Sequence, residues 1–204
     1  MKKIFCLLAT LWLMQVSNSF AQNTIKEGVL IVAGGCFWCT ESDFEKHKGV
    51  LHADSGYING STLNPTYKEV SSNQTGHFEA VKITYNKDLV TLRDLVDFYW
   101  YTIDPTDPNG QFCDKGSSYK TALFYQDEAQ KAVFEDSLAS IKLTKPFEEP
   151  IVTEILKAKK FYPAEAYHQD FYKKSSLRYK YYRHSCGREK RIEQLWGQIV
   201  TDKL

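Results

Sequence analysis

Gly28-Val29-Leu30-Ile31-Val32-Ala33-Gly34-Gly35-Cys36-Phe37-Trp38-Cys39 decides the fold. Its first half, Gly28 to Ala33, is a short apolar run rich in β-branched residues and reads as a strand. Gly34-Gly35 then permits a sharp turn. From Cys36 to Lys46 apolar residues recur at helical spacing, with acids early and lysine late, as the helix macrodipole favours. A strand that passes through two glycines directly into a helix opens a βαβ unit.

Val50 to Tyr57 reads as a second strand, and Ile58 to Gly76 as a loop with a helical turn near Tyr67 to Val70. Phe78 to Tyr85 alternates as a strand, and Leu92 to Ile103 is an apolar helix. Asp104 to Ser117 is turn-rich, with two Asp-Pro steps and one Asn-Gly. Tyr119 to Tyr125 reads as a strand, Asp127 to Lys142 as an amphipathic helix, Ile151 to Leu156 as a strand and Ala164 to Lys174 as a helix. From about Leu177 a basic, aromatic tail is expected, with a last helix over Arg188 to Val200. This order is a split βαβ pattern. It predicts one α+β domain, with helices packed on a mixed sheet and an extended C-terminal tail.

The first residues read as a targeting segment. Lys2 and Lys3 precede an apolar run from Ile4 to Met14, and small residues stand at Ser19 and Ala21. That is the order of a secretory signal peptide, and the run is shorter than the ~20 residues of a membrane span. Residues 1–21 are therefore expected to be cleaved. The mature domain then spans residues 22–204, is exported to the periplasm or medium, and keeps no stable membrane association. Losing Lys2 and Lys3 takes the formal net charge from +1 to −1. A near-neutral chain without a long basic run offers no footprint for nucleic acid. With 13 Tyr, 12 Phe and 4 Trp, a packed core is expected.

Four cysteines remain after cleavage: Cys36, Cys39, Cys113 and Cys186. An exported chain tolerates disulfides, but a domain of this size does not need them to fold. Cys36 stands at a helix N-terminus, where free N–H groups and the dipole stabilise a thiolate. A buried, inert cysteine is the plain alternative. Cys36 and Cys39 form a C-x-x-C pair that share a helix face and are spaced for a reversible disulfide. Zinc needs a second ligand pair, and Cys113, Cys186 and the histidines lack that spacing. No metal site is expected.

Five further segments extend the reading: Asn64-Pro65-Thr66-Tyr67, Gly76-His77-Phe78-Glu79, Asp104-Pro105-Thr106-Asp107, Asp114-Lys115-Gly116-Ser117-Ser118-Tyr119, and Phe161-Tyr162-Pro163-Ala164-Glu165 with Tyr167-His168-Gln169. With Gly34-Gly35-Cys36-Phe37-Trp38 they resemble, in the same order, the motifs of the A-type peptide methionine sulfoxide reductases. The resemblance covers about residues 28 to 182. It implies a ferredoxin-like core and thiol-dependent reduction of methionine S-sulfoxide, in proteins and as the free amino acid.

A sulfoxide needs a soft nucleophile at sulfur, an acid at oxygen and a pocket for its methyl group. Cys36 is the nucleophile. Glu79 matches the family's acid, Tyr67 and Tyr119 its hydroxyl donors, Asp114 a nearby carboxylate, and Phe37 and Trp38 the methyl pocket. Read alone, Glu79 is a solvated strand residue and the tyrosines are edge packing. His77 and His168 are left outside the catalytic set.

Reduction leaves a sulfenic acid on Cys36, which a second thiol must resolve. Cys186 is expected to do so directly or through Cys39, and Cys113 is a third candidate. No bound cofactor is expected. The partners implied are oxidised proteins or peptides and an external, thioredoxin-like dithiol reductant.

Overall fold

The structure, a computed structural model, describes residues 25–197. The expected signal peptide and the end of the expected last helix lie outside the described residues. Strand β1 (Glu27–Gly34) leads to α1 (Phe37–Glu45), β2 (Val50–Ile58), the short α2 (Tyr67–Ser71), β3 (Phe78–Asn86) and α3 (Leu92–Tyr101). A small hairpin of β4 (Gly110–Gln111) and β5 (Asp114–Lys115) and a 3₁₀ turn (Ser117–Tyr119) precede β6 (Thr121–Tyr125). Then follow α4 (Glu128–Thr144), β7 (Glu154–Lys157), β8 (Tyr162–Pro163), α5 (Phe171–Lys174), α6 (Ser176–Ser185) and α7 (Arg188–Trp196).

The main sheet has the order β7-β6-β1-β3-β2-β8. All its neighbours are antiparallel except β6 and β7. Strands β1 and β2 are therefore parallel with β3 between them, and β3 and β6 are parallel with β1 between them. These are two interleaved split βαβ units, the ferredoxin-like arrangement. The sheet is mixed and carries packed helices, as an α+β chain should.

Alternation along β1 builds two faces. Leu30 and Val32 are fully buried with Phe37 and Phe44 of α1, Leu95 and Trp100 of α3, and Phe134 of α4. Ile31 and Ala33 enter a second cluster with Ile58, Ala80, Ala122 and Phe124. Each large apolar side chain buried this way contributes about 1.5–3 kcal/mol.

Several segments differ from their sequence reading, some through contacts between distant parts of the chain. The strand expected from Tyr119 starts at Thr121, because the Asn73 side chain accepts both the Ser118 N–H and hydroxyl at 3.0 Å and holds a 3₁₀ turn. The turn-rich segment 104–117 contains the β4–β5 hairpin. The helix expected over Ala164 to Lys174 shrinks to α5. Gln169 bonds the Ser55 N–H and carbonyl and the Ala164 carbonyl, and Asp170 turns left-handed at φ 55°. The tail expected to be extended carries an unexpected helix, α6, ahead of the last helix expected from Arg188, α7, the two parted by Gly187 at φ 69°. Ile192, Leu195 and Trp196 of α7 join the main core. Among the described residues no helix is long and apolar enough to cross a membrane.

Candidate active site

Strand β1 delivers Cys36 to its position. Gly35 has φ +78°, and a Cβ there would lie 2.5 Å from Gln111 Cβ, so both backbone and packing require glycine. Cys36 is the N-cap of α1 and is only 7% exposed. Its carbonyl accepts from the Cys39 amide at 3.1 Å. The first amide of the helix, that of Phe37, donates to Glu79 Oε2 at 3.1 Å. One helix start thus places a thiol and a carboxyl side by side.

Cys36, Phe37, Trp38, Tyr67, Glu79, Asp114, Tyr119 and Tyr182 line one cleft with ≈ 260 Å³ of empty space. All seven residues named from the sequence for catalysis or substrate binding meet there, with Tyr182 as an eighth. Separate elements hold them. Tyr67 begins α2, whose capping box is Thr66 and Glu69, and the Tyr67 amide donates to Glu165 Oε1 at 2.9 Å. Asp114 stands in the small hairpin and accepts from the Tyr182 hydroxyl. Tyr119 ends the 3₁₀ turn, and its hydroxyl hydrogen-bonds that of Tyr67. Trp38 stacks on Phe171 with ring centroids 3.8 Å apart, and its indole N–H donates to His168 Nδ1 at 3.0 Å.

Burial dominates the electrostatics. Glu79 is 1% exposed. Desolvation pushes its pKa up to about 8, the Phe37 amide opposes this, and Asp114 adds to it. Burial also raises Asp114, against the Tyr182 hydrogen bond and the charge of Arg188. Tyr67 rises to about 12 by desolvation and the Glu79 charge, and Tyr119 rises for the same reasons. Both hydroxyls therefore keep their protons and can donate. The site holds a protonated carboxyl and two neutral phenols around one sulfur, which suits a substrate whose oxygen gains charge.

The cysteines divide into two pairs. Cys36 and Cys39 are free, buried and hydrogen-bonded through their sulfurs. Cys113 and Cys186 form a disulfide with Cα atoms 4.9 Å apart. Cys186, expected as the resolving thiol, therefore has no thiol to offer in this state, while Cys39 touches the reactive sulfur directly. Cys36 lies outside the helix as its cap, so its sulfur can approach that of Cys39 in the first turn. Cys113, Cys186 and Asp114 place ligand-type atoms within 4.8 Å of one another, but the two sulfurs are bonded to each other.

Two residues escape the sequence reading, and His168 is left outside the catalytic set there. Tyr182 lies in the segment taken as a tail. Glu165 was inside a quoted motif without a role, and its carboxylate also accepts from the Tyr57 hydroxyl at 2.7 Å. His168 packs its ring on Phe37, Trp38 and Tyr67. His77 instead accepts from the Gly60 amide at 3.1 Å and contacts the Thr62 carbonyl, outside the cleft lining.

The sequence profile of the family described as Peptide methionine sulfoxide reductase matches residues 28–200. The chain is 48% identical over 173 residues to the Peptide methionine sulfoxide reductase MsrA of Bacillus licheniformis, covering 85% of this chain and 96% of the relative. It is 47% identical to the protein of the same name from Bacillus subtilis strain 168, covering 84% and 97%. Among solved structures it resembles reduced Mxr1 from Saccharomyces cerevisiae, with TM-score 0.68 and 32% identity over 74% of this chain and 90% of that one. It also resembles methionine sulfoxide reductase A of Corynebacterium diphtheriae, with TM-score 0.65 and 28% identity over 74% and 76%. With the cleft, its motifs and these matches in agreement, the chain belongs to the peptide methionine sulfoxide reductase family, in its A-type branch.

Proposed function

We propose that this protein reduces methionine S-sulfoxide, in oxidised proteins and peptides and as the free amino acid, by thiol chemistry at Cys36. The observation that carries this reading is the meeting of Cys36, Glu79, Tyr67 and Tyr119 in one cleft beside Trp38. Cys36 sulfur attacks the sulfoxide sulfur. Glu79, protonated at neutral pH by its burial, gives its proton to the oxygen. The Tyr67 and Tyr119 hydroxyls hold that oxygen as charge gathers there. Phe37 and Trp38 receive the methyl group. Methionine leaves, and the oxygen stays on Cys36 as a sulfenic acid.

Cys39 resolves the sulfenic acid: a sulfur–sulfur bond forms, the sulfur–oxygen bond breaks, and water leaves. An external dithiol of the thioredoxin type then reduces the disulfide by exchange. The enzyme acts outside the cytoplasm, a reading supported by Lys2, Lys3 and the apolar run from Ile4 to Met14.

Incubation of the protein with each epimer of a methionine sulfoxide peptide and dithiothreitol tests the activity. Turnover of the S epimer alone is expected. No reduction of either epimer, or full activity in Cys36→Ser, would overturn the reading. Mass determination of the exported protein tests removal of residues 1–21.

A further inference from the structure

Tyr182 lines the cleft but has no part in the reaction just described. It lies on α6, and its ring meets the Trp38 indole edge-on, with centroids 5.7 Å apart at 81°. It packs on the apolar cluster that contains Cys36 and Cys39. Its hydroxyl donates to Asp114 Oδ2 and hydrogen-bonds the Cys36 side chain. A phenol has one proton to give and lone pairs to accept with. With that proton given to Asp114, Tyr182 meets Cys36 as an acceptor. Thiol, phenol and carboxylate thus form one unbroken chain, drawn from the start of α1, from α6 and from the small hairpin.

The fold braces this chain. Cys113 directly precedes Asp114, and Cys186 follows Tyr182 by about one helical turn. The Cys113–Cys186 disulfide therefore ties the hairpin to α6 beside the bond between Tyr182 and Asp114. On the other side Trp38, two residues after Cys36, is held against Phe171 and the edge of Tyr182.

The reaction needs such a chain. A thiol attacks only once it gives up its proton. Cys36 is buried, so solvent is poorly placed to take that proton. Glu79 cannot take it, because Glu79 must still hold a proton for the sulfoxide oxygen.

We propose that Tyr182 and Asp114 form the proton exit of the nucleophile: as Cys36 attacks, its thiol proton passes to the Tyr182 oxygen while the Tyr182 proton passes to Asp114. The inference rests on the reading of Cys36 as nucleophile and gives its proton a destination.

The charges around the chain suit this passage. Asp114 faces Tyr182 of α6, Arg188 of α7 and Lys115 of its own hairpin. Burial raises its proton affinity, and those three neighbours moderate the rise. Tyr182 is raised far above an ordinary phenol by burial and by the charges of Cys36 and Asp114. It therefore does not rest as a phenolate, and it works by accepting one proton as it releases another. Cys36 faces Cys39 of α1, Glu79 of β3 and Asp114, and burial and all three hold its proton on at rest. Tyr67 and Tyr119 face Glu79 and Asp114 from across the cleft and stay neutral.

The step balances. The Cys36 thiol loses its proton to the chain, its sulfur attacks the sulfoxide sulfur, and Glu79 protonates the oxygen. The sulfoxide gains two electrons and leaves as methionine. Cys36 loses two electrons and becomes the sulfenic acid. Asp114 now carries a proton and Glu79 is a carboxylate. Cys39 sulfur then bonds Cys36 sulfur, and the sulfenic oxygen leaves as water with the Cys39 proton. The proton on Asp114 is the one Glu79 lacks, and its return to Glu79 within the same cleft resets both.

The test is single-turnover methionine formation, followed from about pH 6 to 9 in the parent, Tyr182→Phe, Asp114→Asn and the double variant. Each single variant should slow the first turnover by about 10²-fold at neutral pH. The double variant should be no slower than the slower single, because the chain acts as a unit. The ratio of variant to parent rate should climb with pH, since hydroxide replaces the missing base. A purely structural role would lower the rate by the same factor at every pH. Alkylation of Cys36 by iodoacetamide gives a second reading, taken in a Cys39→Ser background that removes the other partner of the Cys36 sulfur. Adding Tyr182→Phe should slow it at least about tenfold at neutral pH. A Tyr182→Phe variant with the parent first-turnover rate would overturn the proposal. So would a rate ratio flat in pH, or a double variant slowed by the product of the two singles. Slowed alkylation in Tyr182→Phe, with no sulfoxide reduction even by the parent, sinks only the function proposed above. Normal sulfoxide reduction by Tyr182→Phe sinks only this inference.

Discussion

The Phe37 amide and the Glu79 carboxylate oxygen meet at 3.1 Å, so a carboxyl on β3 occupies the anion site at the start of α1, beside Cys36. A helix N-terminus would ordinarily ionise such a group. Burial wins, and the carboxyl stays protonated up to about pH 8. The same relationship keeps an acid and a nucleophile in one place, because a protonated Glu79 does not repel a thiolate on Cys36.

Glu79→Gln should lower the rate of sulfoxide reduction by about 10²–10⁴-fold, the usual contribution of a positioned acid. In the parent enzyme, activity should fall as pH rises through about 8, because the acid loses its proton there. The stability effect has the opposite sense. The folded pKa of Glu79 lies above its ordinary 4.5, so its contribution is most favourable below 4.5 and is lost as pH rises toward 8. Glu79→Gln should therefore be more stable than the parent at alkaline pH while being nearly inactive. Single-turnover kinetics and thermal unfolding across pH check both; a Gln variant that keeps the parent rate removes Glu79 from the mechanism.

The disulfide between Cys113 and Cys186 closes a separation of 73 residues, and its partners flank Asp114 and the helix of Tyr182. Replacing both cysteines with serine should cost about 2–4 kcal/mol. Multiple turnover with dithiothreitol should persist, because Cys36 and Cys39 are both intact. If the double variant stops after one turnover, Cys186 is the resolving thiol after all.

Much of this was legible in the sequence because it is encoded locally. The run from Gly28 to Cys39 carries its own strand, turn and helix start, and β1 and α1 fall within a residue or two of that reading. The contents of the cleft were legible through motif order rather than through physics, since Glu79 alone reads as an ordinary strand residue. What stayed hidden depends on contacts far apart in the chain. Tyr182 reaches Asp114 across 68 residues, and Arg188 reaches Gly34 across 154. Neither α6 nor α7 signals this locally, because basic residues mask their apolar face and only docking against the core reveals it. The helix expected near Ala164 failed for the same reason: the Gln169 side chain spends its bonds on β2 backbone.

Gly35→Ala probes the turn that sets Cys36. Alanine at φ +78° is strained, and its Cβ would press on Gln111 Cβ. A left-handed non-glycine residue costs about 1–3 kcal/mol. The activity loss should exceed what that destabilisation predicts, because any relief moves Cys36 away from Glu79. Folded fraction and first-turnover rate measured together decide it; a fully folded variant with the parent rate would mean the turn does not set the nucleophile.

His168 offers a last separation between shape and charge. Its Nδ1 accepts the Trp38 indole N–H at 3.0 Å, so its proton sits on Nε2, which is buried without a partner. Only the neutral ring can do this, and burial holds its pKa down to about 4 from the ordinary 6.5. A lowered histidine pKa means the unfolded chain takes up the proton first. The stability that His168 lends is thus full above 6.5 and drains away as pH falls toward 4. His168→Asn retains an acceptor that does not titrate, so it should flatten that part of the stability profile and leave sulfoxide binding near normal. His168→Phe fills the space without an acceptor, frees the indole and should raise KM through the methyl-pocket wall with less effect on kcat. Denaturant unfolding between pH 7 and 4, beside steady-state kinetics of the two variants, distinguishes these effects. Equal KM in both variants would show that stacking on Phe171 alone fixes Trp38.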